Sequence, residues 1–336
     1  MHGRGLAAVL TLVTLSGCTR GNTPVRGAVA PAGCYAGSGL EQAFRPAMAH
    51  PSGPTSATLV LDSVVEPGGK QFHARLAAGD SARAGIWYNL PHDTTAVTVT
   101  GVYPMVVLTL ERQAQRLTGT AQRAAMWPGT VVDTTRWPVD LAVTPCASVL
   151  ARLQDENGRR PPLPDSVRTE LVVMDSTDQV MRKAMNAATF ADTSFMRRLE
   201  RSDSARTARL EEIVARWGWP TPSRAGETAA SGAFLVLQHS PSLQFQRRML
   251  PVLDTLARVG ELSSQDVALL TDRTLNRQGL PQRYGTQFGV KDGRLVLHEI
   301  EDSAHVDARR AAMGLPPLAV YEKVIRQQLH LAPEGG

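Results

Sequence analysis

The hydrophobic period of this chain changes near the proline-rich segment Asn157–Pro164, and this change constrains the fold more than any other feature. Before that segment, short runs rich in Val, Thr and Ala alternate with turn residues, between Ser56–Val65 and Pro138–Thr144. After it, apolar residues recur at helical spacing, as Val167 and Leu171 do. Tandem prolines are extended and cannot continue a helix. The pattern therefore predicts a β domain followed by a separate helical domain.

Two cysteines bracket the β-rich region and predict a domain over 34–146. The chain has three cysteines, and two of them, Cys34 and Cys146, remain when the N-terminal Cys18 is set aside. In an exported protein such a pair indicates a disulfide. Two buried free thiols are the alternative. About five to eight short strands separated by turns are typical of an antiparallel β-sandwich or small barrel. The disulfide is expected to tie the first strand to the last.

The N-terminus has the pattern of an export signal. Residues 1–17 combine a short basic start with an apolar run too short to span a bilayer. The sequence Leu15-Ser16-Gly17-Cys18 resembles a bacterial lipobox, which implies a lipid anchor on Cys18 and a flexible tether over 18–33. In lipoproteins that stay in the inner membrane, an Asp follows the lipidated cysteine. Here Thr19 follows Cys18, which implies the outer membrane of the cell envelope. An ordinary signal peptide with a coincidental cysteine, or an uncleaved anchor, is the alternative.

Capping residues divide the second half of the chain into helices. A linker is predicted over 147–164 and the helical domain over 165–331. One helix is expected to end at Gly218, and the next to be capped by Thr221-Pro222-Ser223 and to run to His239. A further helix is expected to start at Ser240-Pro241 and to end at Gly260. Another is expected to start at Ser263 or Ser264 and to end at Gly279. A small hairpin and two short helices complete the domain. The fold class is therefore α+β multidomain, with an antiparallel sandwich or barrel before an all-α domain.

Composition and motifs exclude several classes of function. Aromatic residues make up 5%, and 36 basic residues stand against 31 acidic ones without a long basic run. Both observations argue against a nucleic-acid partner. The chain contains no Gly-x-Ser-x-Gly, phosphate-loop, dinucleotide or His-Glu-x-x-His motif. No metal and no cofactor is predicted.

Three polar clusters in the helical half are the candidate site. They are Gln238-His239, Asp272-Arg273, and the loop residues Gln282, Tyr284 and Gln287. His239 has a reference pKa near neutrality and is the candidate general acid or base, with Asp272 orienting it. Arg273 is expected to hold an anionic group, and the remaining side chains to bind a polar ligand. The alternative is a polar network that only fixes helix register.

The same residues carry a resemblance. The combination of Gly218-Trp-Pro-Thr221, Gln238-His239, Asp272-Arg273, Tyr284-Gly-Thr-Gln287 and Arg309-Arg310 resembles a bacterial domain family of unknown function found in secreted proteins and lipoproteins. The resemblance covers about residues 187–322. It implies a domain and the location of a site, but no activity.

Three functions are compatible with this sequence. The leading hypothesis is a lipid-anchored protein whose helical domain binds an envelope or extracellular ligand or protein. The alternative is a hydrolase or lyase acting on an envelope carbohydrate or peptide. A structural or assembly module without a site is the second alternative.

Overall fold

A computed structural model describes residues 32–44, 56–62, 71–125, 132–153, 159–184, 192–291 and 294–328. The signal over 1–17, Cys18 and nearly all of the tether predicted over 18–33 lie outside the described residues. The described part begins with a β domain and continues into a helical domain, which confirms the predicted fold class.

Eight antiparallel strands close into a barrel. In chain order they are β1 (Gly33–Ser38), β2 (Thr58–Leu61), β3 (Phe72–Ala78), β4 (Ser81–Leu90), β5 (Thr94–Val99), β6 (Met105–Gln113), β7 (Arg116–Ala124) and β8 (Arg136–Thr144). Each strand pairs with its sequence neighbours, and β1 closes the barrel against β8. Alternate side chains point inward and fill the interior, among them Leu59, Leu76, Trp87 and Leu108. The β domain is thus a small packed barrel rather than a sandwich.

The predicted disulfide is present at the seam of the barrel. Cys34 lies in β1, Cys146 follows β8, and their Cα atoms are 5.2 Å apart. Cys34 is paired in register with Thr144, two residues before Cys146. The bond therefore joins the first strand to the end of the last strand, as expected.

One outer face of the barrel is buried. Along β3, Ala74 and Leu76 point into the barrel, so the alternating residues His73, Arg75 and Ala77 point outward, yet all three are buried. Helix α1 (Ala147–Leu153) and the helical domain cover this face. Outward-facing strand residues at this face consequently form the contact between the two domains.

The described residues of the helical domain form six longer helices and two short ones, of which one lies after a small hairpin. The other seven are α2 (Asp165–Lys183), α3 (Thr193–Trp217), α4 (Pro222–Ala225), α5 (Glu227–His239), α6 (Leu243–Arg258), α7 (Ser264–Arg277) and α9 (Leu318–Gln328). The hairpin β9 (Phe288–Lys291) and β10 (Arg294–Leu297), a 3₁₀ turn at Ser303–His305 and α8 (Val306–Ala312) lie between α7 and α9. Helices α2, α3, α5, α6 and α7 each contribute apolar side chains to one hydrophobic core.

Two helix boundaries differ from the sequence expectation. The helix predicted from Thr221 to His239 is divided, because Gly226 adopts a φ of 89° between α4 and α5. The next helix begins at Leu243 rather than at Pro241, since Ser242 is the residue whose Oγ accepts from the N–H of Phe245. The Ser240 hydroxyl instead accepts from the N–H of Ser242.

None of the helices in the described part of the chain combines the length and apolar character needed to cross a bilayer.

Candidate functional site

A cavity of about 180 Å³ lies between the barrel and the helical domain. The outer face of β3 and β4 and the residue Thr100 form one wall. Helix α5 and the segment from Glu261 into α7 form the other. Ionisable side chains from both domains face it: His73, Glu227, His239, Glu261 and Asp266. A cavity with several convergent polar groups at a domain boundary is the usual setting of a ligand site.

Ion pairs connect the two walls. Nδ1 of His73 lies 2.5 Å from Oε1 of Glu227, the first residue of α5. Arg75 donates from Nη1 to Glu261 at 3.1 Å and from Nη2 to Asp62 at 3.1 Å. The second Glu261 oxygen accepts from the N–H of Ser223 at 3.2 Å. The barrel therefore contributes cations and the helical domain carboxylates to one buried interface.

These contacts shift the protonation of the interface groups. Burial by itself would lower the pKa of His73, but the carboxylates of Glu227, Glu261 and Asp62 together raise it above its ordinary value. Burial would raise the pKa of Glu261, but the charges of Arg75 and His73 hold it below its ordinary value. Both shifts favour the charged forms of the two side chains at this interface.

Asp266 differs from the other carboxylates of the cavity. It lies in the first turn of α7, is half-buried, and its carboxyl makes no hydrogen bond or ion pair within the described part of the chain. Burial, with a contribution from the nearby Glu227 charge, raises the pKa of Asp266 to about 7. A carboxyl with this pKa can either donate or accept a proton at neutral pH.

Gln238 and His239 reach the cavity from the last turn of α5. Nδ1 of His239 lies 2.9 Å from Oδ2 of Asp178, within ion-pair distance, and neither ring nitrogen makes a hydrogen bond to a described residue. Oε1 of Gln238 is likewise buried without a partner there. Burial lowers the pKa of His239, the contact with Asp178 opposes this, and the charge of Arg182 lowers it further. With its proton on Nδ1, the nitrogen that faces Asp178, neutral His239 presents Nε2 as an acceptor.

Asp178 is a partner that the sequence did not reveal. It is fully buried on α2, where it lies against His239 and accepts from Nε of Arg182 at 3.0 Å and from Nη2 of Arg206 at 3.1 Å. Both arginines also bind Asp203. Burial would raise the pKa of Asp178, but His239 and the two arginines hold it low. The residue that orients His239 is therefore Asp178 from α2.

Asp272, expected to orient His239, has other partners. Its Oδ1 accepts from the N–H groups of Arg283 and Tyr284 at 2.7 and 3.0 Å. Its Oδ2 accepts from the N–H and the hydroxyl of Thr286, both at 2.9 Å. No hydrogen bond or ion pair joins Asp272 to His239 in the described structure. Asp272 fastens the loop after α7 to the body of that helix.

The predicted ligand-binding residues of that loop also bond within it. The Gln282 amide donates to the carbonyls of Gln287 and His298 at 3.1 and 2.9 Å, and its oxygen accepts from the N–H of Gln287 at 2.9 Å. Arg310 reaches under the loop to the carbonyls of Tyr284 and Gly285. Neither Tyr284 nor the two glutamines line the cavity. The polar clusters named from the sequence thus separate: Gln238 and His239 line the cavity, whereas Asp272 and the loop residues bond to one another. Arg273, on α7, does not line the cavity.

The barrel side of the site could not be predicted from the sequence. His73 and Arg75 look like ordinary outward residues of a strand, and Glu227 and Asp266 look like first-turn helix acids. His73 and Glu227 are 154 positions apart, so no local pattern connects them. Within the described ranges, no group of three or more His, Cys, Asp or Glu residues could hold a metal ion.

Comparison with known proteins identifies the helical domain. A model of a family of unknown function (DUF6624) matches residues 164–332. No curated protein and no solved structure matches the chain.

Proposed function

Since the chain belongs to the DUF6624 family, whose domain forms the helical wall of the cavity, we propose that the protein binds a small ligand between that domain and the barrel. The ligand we expect presents hydroxyl or amine donors. This proposal moves the recognition site expected on the helical domain to the boundary between the two domains.

The observation that carries the proposal is a set of acceptors without partners at the cavity. Gln238 and His239 line the cavity, and Oε1 of the first and Nε2 of the second are buried without a hydrogen-bond partner among the described residues. The carboxyl of Asp266, a third lining residue, has no partner among them either. Leaving a buried polar atom without a hydrogen bond costs about 1–3 kcal/mol. Acceptors placed together in this way are complementary to a ligand that donates hydrogen bonds.

The size of the cavity and its apolar wall further restrict the classes of compound that it can bind. Its volume of about 180 Å³ is several times the ~30 Å³ that one molecule occupies in liquid water. Ile86, Phe234, Leu235 and Leu269 supply carbon surface beside the polar groups. A compact polyol, a monosaccharide or a small amine has both the donors and the carbon skeleton that this wall suits.

Export to the cell envelope is part of the same proposal. The lipobox-like sequence ending in Cys18 supports lipid anchoring there, and the Thr that follows it supports the outer membrane. The disulfide between Cys34 and Cys146 supports an oxidising compartment. The ligand is then one that occurs in the envelope or outside the cell. A Cys18→Ser variant should leave the membrane fraction, and retention in that fraction would contradict the anchor.

Equilibrium dialysis against a defined mixture of monosaccharides, polyols, amino acids and polyamines, read by mass spectrometry, tests the binding site. We expect the wild type to retain a compound from this set and Gln238→Leu to bind it at least tenfold more weakly. Gln244→Leu, which removes an exposed glutamine of α6, is the matched control and should bind normally. Retention of no compound, or equal retention by Gln238→Leu, would contradict the proposal.

Hydrolysis is the second candidate, favoured by the pKa of about 7 at Asp266 beside Glu227. In that reaction the oxygen of a water molecule bonds to the substrate carbon and Glu227 accepts the water proton. Asp266 protonates the departing oxygen or nitrogen as its bond to carbon breaks. These residues replace the pair His239 and Asp272 expected from the sequence. Prolonged incubation of the retained compound with wild type and Asp266→Asn separates the candidates. Cleavage by wild type alone indicates an enzyme, and recovery of intact compound from both indicates binding only.

A further inference from the structure

A group of arginines lies near the C-terminal ends of α2, α5 and α7. Arg182 belongs to α2, and Arg273 and Arg277 lie one turn apart on α7. The charges of Arg182 and Arg277 both act on Arg273. Arg273 does not line the cavity, so this place is distinct from the proposed binding site.

Arg273 has no acceptor for its guanidinium. Its Nε is buried without a hydrogen-bond partner, and no ion pair or hydrogen bond reaches the rest of its guanidinium within the described residues. Burial and the two neighbouring arginine charges lower the pKa of Arg273 to about 10, while the more distant Asp203 opposes this shift. The side chain is therefore charged at neutral pH and held near like charges.

The carboxylates and several carbonyls of this region already accept hydrogen bonds from other donors. Arg182 and Arg206 share the carboxylates of Asp178 and Asp203, which balances two charges of each sign. The carbonyls at the end of α5 accept from other donors: Nε2 of Gln246 binds those of Leu237 and Gln238, and Arg277 binds those of Ser240 and Pro241. Arg277 itself binds only uncharged oxygens, including Oε1 of Gln246 at 2.7 Å. Two positive charges, on Arg273 and Arg277, thus have no carboxylate partner among the residues that the structure describes.

We propose that Arg273 is the centre of a binding site for a small oxyanion, a carboxylate or a phosphate group, with Arg182 and Arg277 at its edges. The planar guanidinium fork matches two oxygens of such a group. Arg273 is only half-buried as a residue, so an anion can reach it from solvent. This inference stands independently of the ligand proposed for the cavity.

Titration with inorganic phosphate and, separately, with acetate at low ionic strength tests the site by calorimetry. We expect saturable binding of at least one anion to the wild type and at least tenfold weaker binding to Arg273→Gln. Tighter binding of phosphate would identify a phosphorylated ligand, and tighter binding of acetate a carboxylate. Arg258→Gln removes the same charge from an exposed position of α6 and should bind as the wild type does. Binding of neither anion, or equal weakening in both variants, would overturn the proposal.

A second measurement needs no variant and so does not depend on whether Arg273→Gln folds. The charge of Arg273 is one of the causes that lower the pKa of His239. An anion bound to Arg273 neutralises that charge, so the His239 imidazole should titrate at higher pH when the anion is saturating. NMR of the imidazole resonances measures this shift. An unchanged His239 titration at saturation would contradict the site.

Discussion

The partners of individual carboxylates decide the acid–base character of the domain boundary. Glu261 is bound by Arg75 and Ser223 and stays ionised, whereas Asp266, a few residues later, has neither kind of partner. The pKa of the first is therefore lowered and that of the second raised to about 7. Two carboxylates beside one cavity therefore have opposite preferences for the ionised and the protonated form.

Replacement of Asp266 by Asn should change how stability depends on pH. The pKa of Asp266 is about 7 in the folded protein and ~3.9 in an unfolded chain, so the stabilisation linked to its protonated form is complete below pH 4 and lost as the pH rises through 7. At pH 8 the variant should be more stable than the wild type by roughly 2 kcal/mol, less than the full shift implies because the carboxyl is only half-buried. Urea unfolding at pH 5 and pH 8 measures the difference, and an equal difference at both values would contradict the assignment.

Removal of the Asp178 carboxylate should be among the most destabilising single changes in the helical domain. Asp178→Ala leaves Arg182, Arg206 and His239 buried with one acceptor fewer, and breaking such a network costs about 3–5 kcal/mol. Asp165→Ala, at a pair whose aspartate is 89% exposed, should change stability by no more than about 0.5 kcal/mol. Denaturant unfolding of both variants makes the comparison. Equal, small effects would show that the Asp178 network is not stabilising.

Secondary-structure elements show which parts of the fold local sequence can specify. Gly218 and Ser263 bound their helices as predicted, because a C-terminal glycine and an N-cap hydroxyl act within one turn. Ser240 and Ser242 are equally good caps by sequence, and only the direction of the chain after α5 selects Ser242. Gly226 is unremarkable in sequence, but its φ of 89° separates α4 from α5 and places Glu227 at the cavity.

The loop after α7 should depend on Asp272 for its shape. Asp272→Ala removes the acceptor for three N–H groups and the Thr286 hydroxyl, which should cost about 3 kcal/mol or more. Hydrogen exchange of the amides of Arg283, Tyr284 and Thr286 should accelerate in the same variant. Asp254→Ala, at an exposed position of α6, is the control. Unchanged exchange at these three amides would contradict the structural role assigned to Asp272.

At the scale of the whole molecule, the site depends on how the two domains meet. The barrel turns His73 and Arg75 toward α5 and the segment before α7, and Gly260 permits this approach. At Gly260 an added Cβ would lie 3.0 Å from the Cβ of Ala82. The sequence predicted both domains and the disulfide that joins the two ends of the barrel, because the hydrophobic periodicity and the pair of cysteines are visible along the chain. It did not predict the cavity, because the residues of its two walls are far apart in sequence and become neighbours only when the domains pack.

Loss of the disulfide should destabilise the barrel more than the helical domain. The bond joins residues separated by 112 positions, and a closed loop of that length is worth about 4–5 kcal/mol in the chain-entropy account. Paired Cys34→Ser and Cys146→Ser substitutions should lower the free energy of barrel unfolding by about that amount. Trp87, fully buried in the barrel, offers a fluorescence signal for the measurement. A change below about 1 kcal/mol would contradict this prediction.

The position of the same bond also determines how a pulling force would travel through the protein. The chain enters the barrel at Gly33, the disulfide follows at Cys34, and its other end at Cys146 leads directly into α1. Tension between the N-terminal segment and the helical domain therefore passes through two sulfur atoms and bypasses all residues between them. The barrel is a mechanically unloaded side loop, and stretching the oxidised protein from its two ends should unfold the helical domain while the barrel keeps its shape. In the reduced protein the barrel strands would bear the force.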